Sequence, residues 1–284
     1  MKNILSLIII CIMITPSVLS AQNNHTSTHK VASFNLRMDT SGDGENAWPN
    51  RKEMVKGLIS FHNLDIIGTQ EGFKHQLEQI IELPEYAYVG AGRDDGKDEG
   101  EHSAIIYNKD KYRVLENGDF WFSETPEVPG KGWDATCCNR ICSWAKFQDI
   151  STGKEFYVFN SHYDHEGEVA RKNSSLMLIE KVKEIAKDYP LFATGDFNAT
   201  PNSEPIQILM NSEVLLDSYL VTKEPPYGTT GTFNSFRLDA PMNNRIDYIW
   251  VTPNITVEKY GVLNDMQYGR FPSDHFPVVI EAKF

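Results

Sequence analysis

Acids, amides and imidazoles recur in this chain at the ends of short apolar runs. Asn35 closes Val31–Phe34, Gln70 and Glu71 follow Ile66-Ile67-Gly68-Thr69, and His162 and Asp164 follow Tyr157-Val158-Phe159-Asn160. Asp196 and Asn198 come at the end of the run that starts at Leu191, and Asp274 and His275 precede the last run, Pro277–Ala282. One such placement is ordinary turn chemistry. Repeated across one chain, it points to loops gathered at one edge of a sheet, where sites assemble on a rigid scaffold. Taken singly, Asn35 reads equally well as a turn residue and Glu71 as a solvated acid. Asp196 and Asn198 are more telling, because two residues apart they present an acid and an amide on one side of the chain, which suits a metal or a phosphate. Asp247, inside the apolar run Ile246–Val251, needs a charged or hydrogen-bonding partner. The donors are carboxylate and amide oxygens, without a thiolate set or a His pair at metal spacing. Magnesium or manganese is therefore expected rather than zinc, held by one or two carboxylates and open to water and phosphate oxygens.

Such residues need strands and helices to hold them. Strands are predicted at Val31–Leu36, Leu64–Gly68, Ala87–Gly90, Ala104–Tyr107, Ser143–Phe147, Phe156–Asn160, Leu191–Thr194, Ile246–Val251 and Pro277–Ala282, all short and rich in β-branched or aromatic residues. Asp149–Lys154 reads as a hairpin turn, and Gly92–His102 as a polar surface loop between two strands. Helical spacing covers Arg51–Phe61, Phe73–Ile81 and Val169–Asp188, where Leu176, Ile179, Val182 and Ile185 mark an expected core-facing stripe. Strands outnumber helices, and the two do not alternate strictly, so mixed sheets covered by helices are expected rather than a parallel barrel. Neither a repeat nor a linker divides the chain, which makes residues 30–284 one domain.

Ser33-Phe34-Asn35-Leu36, Thr69-Gln70-Glu71, Asn160-Ser161-His162, Gly195-Asp196-Phe197-Asn198, Arg245-Ile246-Asp247-Tyr248 and Ser273-Asp274-His275 occur in this order. Together they resemble the signature of the endonuclease/exonuclease/phosphatase superfamily, over essentially all of Val31–Phe284. The resemblance implies a four-layered α/β sandwich, two mixed sheets face to face with helices outside. It implies Glu71 as the principal metal carboxylate, assisted by Asn35 and Asp274, and Asp247 as the partner that orients His275 to activate water. Asp196 and Asn198 would orient the nucleophile and the phosphate. His162 would donate to a phosphate oxygen or to the leaving group, with Glu101 as its carboxylate partner. The segment His162-Tyr163-Asp164-His165-Glu166-Gly167, followed by Arg171, resembles a mainly bacterial subgroup. Asp164 then reads either as a substrate-side ligand or as a capping acid before the next helix. Arg93 and Arg140 read as phosphate clamps or as surface charges. Trp48, Trp121, Trp133 and Phe236 read as cleft lining or as partly buried core.

Composition narrows the partners. Lys2 followed by the apolar Ile4–Thr15, Pro16 and the small Ser20 and Ala21 has the layout of a secretory signal peptide, 1–21, followed by a short segment, 22–29. Its apolar run is too short to span a bilayer comfortably, so no membrane span is expected after its removal. The expected location is periplasmic or extracellular. The chain carries a net charge of −12, and the leader contributes one Lys and no acid. A surface this acidic repels long nucleic acid, which makes DNA or RNA a weaker expectation than a phosphorylated small molecule, glycan or lipid. A phosphodiesterase on such a substrate is the leading expectation; a secreted nuclease and a non-catalytic binding module are the alternatives. No protein partner is indicated. Cys137, Cys138 and Cys142 permit one local bridge or buried thiols, and carry no expected catalytic role.

Overall fold

The computed structural model describes residues 27–284; the expected leader and residues 22–26 lie outside the described residues. Twelve strands are described: β1 (His29–Asn35), β2 (Ile66–Gln70), β3 (Tyr86–Val89), β4 (Ile105–Asn108), β5 (Tyr112–Trp121), β6 (Ile141–Asp149), β7 (Glu155–His162), β8 (Leu191–Asp196), β9 (Leu216–Asp217), β10 (Asp247–Val251), β11 (Thr256–Val262) and β12 (Val278–Lys283). The helices are α1 (Trp48–His62), α2 (Lys74–Ile80), α3 (Glu168–Ile185), α4 (Glu204–Met210) and α5 (Ser218–Val221), with a 3-10 segment at Ser41–Asn46.

The inner strands are apolar on both faces because both faces are covered. In β2, Ile66 enters the core between the sheets, while its neighbour Ile67 packs under α1 and α2 with Val55, Leu58, Ile59, Leu77 and Ile80. In β7, Phe156 and Val158 face the other sheet, and Tyr157 and Phe159 pack under α3 and α4 with Leu178, Val182, Ile206 and Leu209. A strand turns successive side chains to opposite faces, so two apolar faces require four layers. One sheet runs β11-β12-β1-β2-β4-β3 and the other β5-β6-β7-β8-β10-β9, each with a single parallel pair at its centre, β1 with β2 and β7 with β8. The expected sandwich of two mixed sheets flanked by helices is what the chain forms.

Several local expectations change. Strands β5 and β11 are not among the predicted strands, because both are edge strands with polar interruptions such as Glu116-Asn117 and Glu258-Lys259, each beside a register shift. Helix α4 is only seven residues long, with Pro205 in its first turn, below the length at which a period shows. In α3 the buried residues are Ala170, Ser174, Ser175, Leu178 and Val182, whereas Leu176 is 44% exposed. The stripe is therefore rotated from the expected one, and small Ala and Ser side chains carry part of it. Helix α1 begins at Trp48, since Pro49 fits a first helical turn. No described helix is long and apolar enough to cross a membrane.

Candidate active site

Strand register brings the acids and imidazoles together. Asn35 pairs with Gln70 across the parallel β1–β2 pair, and Glu71 is the next residue. In the other sheet His162 pairs with Asp196 across β7–β8, and Asp196 pairs with Asp247 across β8–β10, so three site residues form one row. Side chains directly opposite on neighbouring strands lie close together, and the bond from Asn35 to Asp196 sets this row against the end of β1 in the other sheet. Glu71 and Asn198 both adopt left-handed backbone, with φ of 63° and 47°. For a glutamate this costs of order 1–3 kcal/mol, the kind of strain that collects at sites.

The row opens into a cleft of about 750 Å³ that contains Glu71, His162, Asp196, Asn198, Asp274 and His275, with Arg93, Glu101 and Arg140 along one wall. His275 Nδ1 lies 2.9 Å from Asp247 Oδ2, both residues being buried, so the ring is fixed with Nε2 toward Asp196, whose Oδ2 is 3.9 Å away. Burial opposes the imidazolium here, yet the carboxylates of Asp247, Asp196 and Asp274 outweigh it and hold the His275 pKa well above its ordinary value. Burial and the neighbouring Asp247 push the Asp196 carboxyl up to about 7. Burial, with Glu71 adding to it, also raises Asp274. Carboxylates crowded in this way call for a cation, and one ligand atom each from Glu71, Asp196 and His275 lie within 4.8 Å of one another. The residues fit a hard divalent ion.

Asn35 sits within this group in a different sense from the expected ligand. Its Nδ2 donates to Glu71 Oε1 at 2.9 Å and to Asp196 Oδ2 at 3.0 Å, while its oxygen accepts from the Arg37 N–H. It bridges the two carboxylates as a donor. Asp274 lies 3.9 Å from the Arg37 Nε and borders the cleft without joining the group around Glu71 and Asp196.

The other wall belongs to His162. Burial, with Arg140 and Arg93 adding to it, holds His162 well below the ordinary histidine pKa, so it is uncharged at neutral pH. Asn198 Nδ2 approaches its Nε2 at 3.2 Å. Glu101 faces its Nδ1 at 3.8 Å, too long for a hydrogen bond, because the Glu101 carboxylate is engaged by Arg93 Nη1 at 2.6 Å. Burial pushes Glu101 up to about 7 against the pull of Arg93. Arg140 donates from Nε to Asp164 at 3.2 Å and from Nη2 toward His165 Nδ1 at 2.7 Å. Asp164 is buried away from the cleft, and its other oxygen accepts the N–H groups of Glu166 and Gly167 ahead of α3. Asp164 therefore closes a turn ahead of α3 and anchors Arg140 rather than capping the helix, whose first N–H groups, those of Val169 and Ala170, donate to Asp134 at 3.0 and 2.7 Å.

Several neighbours of the site carry no local signal of their role. Arg37 forks onto Asp43 with two 2.9 Å bonds and faces Glu71 and Asp274, a contact created by the left-handed turn at Arg37 itself, φ 57°. Arg51, read only as a helical residue, is buried and donates to the carbonyls of Leu36, Arg37 and Pro272. It thereby ties the end of β1 to the segment carrying Asp274 and His275, and burial pulls its pKa down to about 10. Phe233 packs edge-on against His275 at 5.0 Å. Aromatic lining comes from Phe73 and Phe233 rather than from the expected set. Trp48 and Trp121 are core with their indole N–H groups bonded, and Trp133 and Phe236 pack onto core clusters. Cys137 and Cys138 are bonded to each other at the cleft, and Cys142 is buried and free.

Hydrolysis of a phosphate ester needs charge neutralisation, a base for water and donors for the phosphate oxygens. Metal-dependent phosphoric ester hydrolase is the class that this fold and site define. A model of the Endonuclease/Exonuclease/phosphatase family matches residues 32–275, and the chain belongs to that family, whose members depend on a divalent metal. It is 44% identical to a solved endonuclease/exonuclease/phosphatase family protein of Bacteroides thetaiotaomicron, covering 91% of this chain and 98% of that one with a TM-score of 0.88. It is also 44% identical to a solved mannosyl-6-phosphatase of the same organism, covering 90% and 100%, TM-score 0.86. A 3'-5'-exoribonuclease subunit, Ccr4, of the CCR4-Not complex of Aspergillus niger is 23% identical over 93% of this chain and 53% of its own length. The chain spans about half the length of the curated relatives it matches.

Proposed function

We propose that the chain is an exported, magnesium- or manganese-dependent phosphatase of phosphorylated sugars or glycans. The observation that carries this reading is the His275–Asp247 couple, whose free Nε2 points at the carboxylate cluster inside the cleft. With Asp247 holding Nδ1–H, Nε2 is the nitrogen that takes the proton of an attacking water, a contribution worth roughly 10²–10⁴-fold. A cation held by Glu71 and Asp196 supplies charge neutralisation and Lewis acidity at the phosphate. With the carboxylates offset in this way, His275 returns toward the neutral form that a base requires. Asn198 and His162 donate N–H groups to the phosphate oxygens once their mutual contact is exchanged for substrate. Arg93 and Arg140, each held by a carboxylate, add positive charge on the far wall.

Three features support a sugar monoester over the diester that the sequence first suggests. A monoester is a dianion, which suits cationic groups on both sides of the cleft. The net charge of −12 opposes a long polyanion. The mannosyl-6-phosphatase relative is similar over nearly the whole of both chains. The exoribonuclease relative favours a second reading, a nuclease. Export rests on the leader-like residues 1–21 and is tested by fractionating the producing cells. The substrate test compares mannose 6-phosphate, p-nitrophenyl phosphate, bis-p-nitrophenyl phosphate, DNA and RNA, with Mg2+ or Mn2+ and with chelator. Turnover of the sugar phosphate, lost with chelator and in His275→Ala, is the expected result. Faster cleavage of nucleic acid at physiological salt overturns the sugar reading.

A further inference from the structure

Directly beneath the cleft the two sheets meet around one buried amide. Asn160 of β7 is 0% exposed and donates from Nδ2 to the carbonyls of Thr69 (2.7 Å) and Ala104 (2.9 Å), both on the opposite sheet's side. Its Oδ1 accepts from Gln70 Nε2 at 2.7 Å and from Thr194 Oγ1 at 3.0 Å. An asparagine side chain offers two N–H groups and one oxygen with two lone pairs, so its capacity is filled. Turning the amide over would set its oxygen against two carbonyl oxygens, which fixes the orientation. Gly68 makes the approach possible, since a Cβ there would lie 1.9 Å from Thr194 Oγ1 and 2.5 Å from Asn160 Oδ1.

Every side chain in this knot sits next to a site residue. Gln70 immediately precedes Glu71, Asn160 is two residues before His162, and Thr194 is two residues before Asp196. Glu71 belongs to one sheet, whereas His162 and Asp196 belong to the other; above the knot the bond from Asn35 to Asp196 also crosses between the sheets, and below it they meet through apolar contacts. Apolar contact is non-directional and holds a sheet separation loosely, whereas hydrogen bonds at 2.7–3.0 Å fix it. A cation-binding group needs its ligands placed to about half an ångström.

We propose that Asn160 is a positioning residue, which pins one sheet to the other and sets the separation of Glu71 from Asp196 and His162, hence the geometry that holds the divalent ion. This rests on the metal-dependent reading of the site. A polar core group without this role would, on removal, lower stability and leave the site of the folded protein as it was.

The test titrates metal-free wild type, Asn160→Ala and Thr194→Val with Mn2+ by calorimetry, below the melting temperature of each, and measures kcat and KM on p-nitrophenyl phosphate. Asn160→Ala is expected to bind Mn2+ about 10–100-fold more weakly, as loss of an outer support typically does, with kcat reduced and KM little changed at saturating Mn2+. Thr194→Val keeps the side-chain shape and removes only the hydroxyl shared between Asn160 Oδ1 and the Phe159 carbonyl, so it shifts both readouts the same way by less. Melting temperatures that fall while Mn2+ affinity and kcat stay within twofold of wild type overturn the proposal. If Asn160→Ala does not fold, unchanged Mn2+ affinity and kcat in Thr194→Val overturn it equally. Wild-type protein that neither binds Mn2+ nor hydrolyses phosphate esters sinks the site reading as well, an outcome distinct from failure of the positioning role alone.

Discussion

Replacing Asp247 by Asn isolates the orienting carboxylate while keeping its shape. The Asp247–His275 contact is 2.9 Å long between residues 0% and 4% exposed. A charge-assisted hydrogen bond in such surroundings is worth about 1.5–3 kcal/mol. The change also affects which ring nitrogen carries the proton. Asp247 Oδ1 has no hydrogen-bond partner, so nothing compels the new amide to keep its oxygen toward the ring. With its NH2 group turned to Nδ1, the proton moves to Nε2 and the base is lost. At about 1.36 kcal/mol per decade, the two effects together should lower kcat by about 10²–10³-fold. The assay is turnover of p-nitrophenyl phosphate at saturating Mn2+ for Asp247→Asn, His275→Ala and the double variant, with circular dichroism to verify folding. Because the two residues act as a unit, the double variant should be no slower than His275→Ala. A single variant within threefold of wild type, or losses that multiply in the double variant, refutes the coupling.

Glu71→Gln should weaken Mn2+ binding by at least tenfold, read by calorimetry, since it removes a carboxylate from the group around Asp196. In α3, Leu178→Ala should cost about 2–5 kcal/mol of stability, whereas Leu176→Ala should stay within about 0.5 kcal/mol, as denaturant titration would show; equal effects would contradict the rotated stripe. His29 is buried against Tyr112 and Phe284, and burial lowers its pKa from 6.5. The unfolded chain thus takes up a proton below pH 6.5 that the folded protein does not, and stability falls as pH drops from 6.5 toward the folded value. His29→Gln should flatten that fall by up to about 1.4 kcal/mol per pH unit, measured as stability between pH 7 and 5. An unchanged slope would remove His29 from the account.

Legibility followed burial and locality. The inner strands β1, β2, β7, β8, β10 and β12 were readable because two covered faces leave an uninterrupted apolar run. The edge strand β5 was not, because Glu116-Asn117-Gly118 reads as a turn until β6 pairs with it. At the site, the acids and imidazoles stood out as polar residues ending apolar runs. Arg37 and Arg51 did not, since one acts through a left-handed turn and the other joins nearby carbonyls to that of Pro272, 221 residues away. Asp164 illustrates the same limit, because a local sequence offers both a cap and a ligand, whereas Asp134, 35 residues before Val169, accepts the first N–H groups of α3 and Asp164 anchors Arg140.

Taken alone, the amino-acid order determined the layering, the family resemblance and the kinds of side chain available for chemistry, because alternation and residue type are local properties. Tertiary structure alone decided which carboxylates share a cation-sized space, which imidazole is pushed above its ordinary pKa and which below it, and that Asn35 serves as a donor between Glu71 and Asp196. Those outcomes depend on distances between strands of two different sheets and on burial shared among them, and no stretch of sequence contains either quantity.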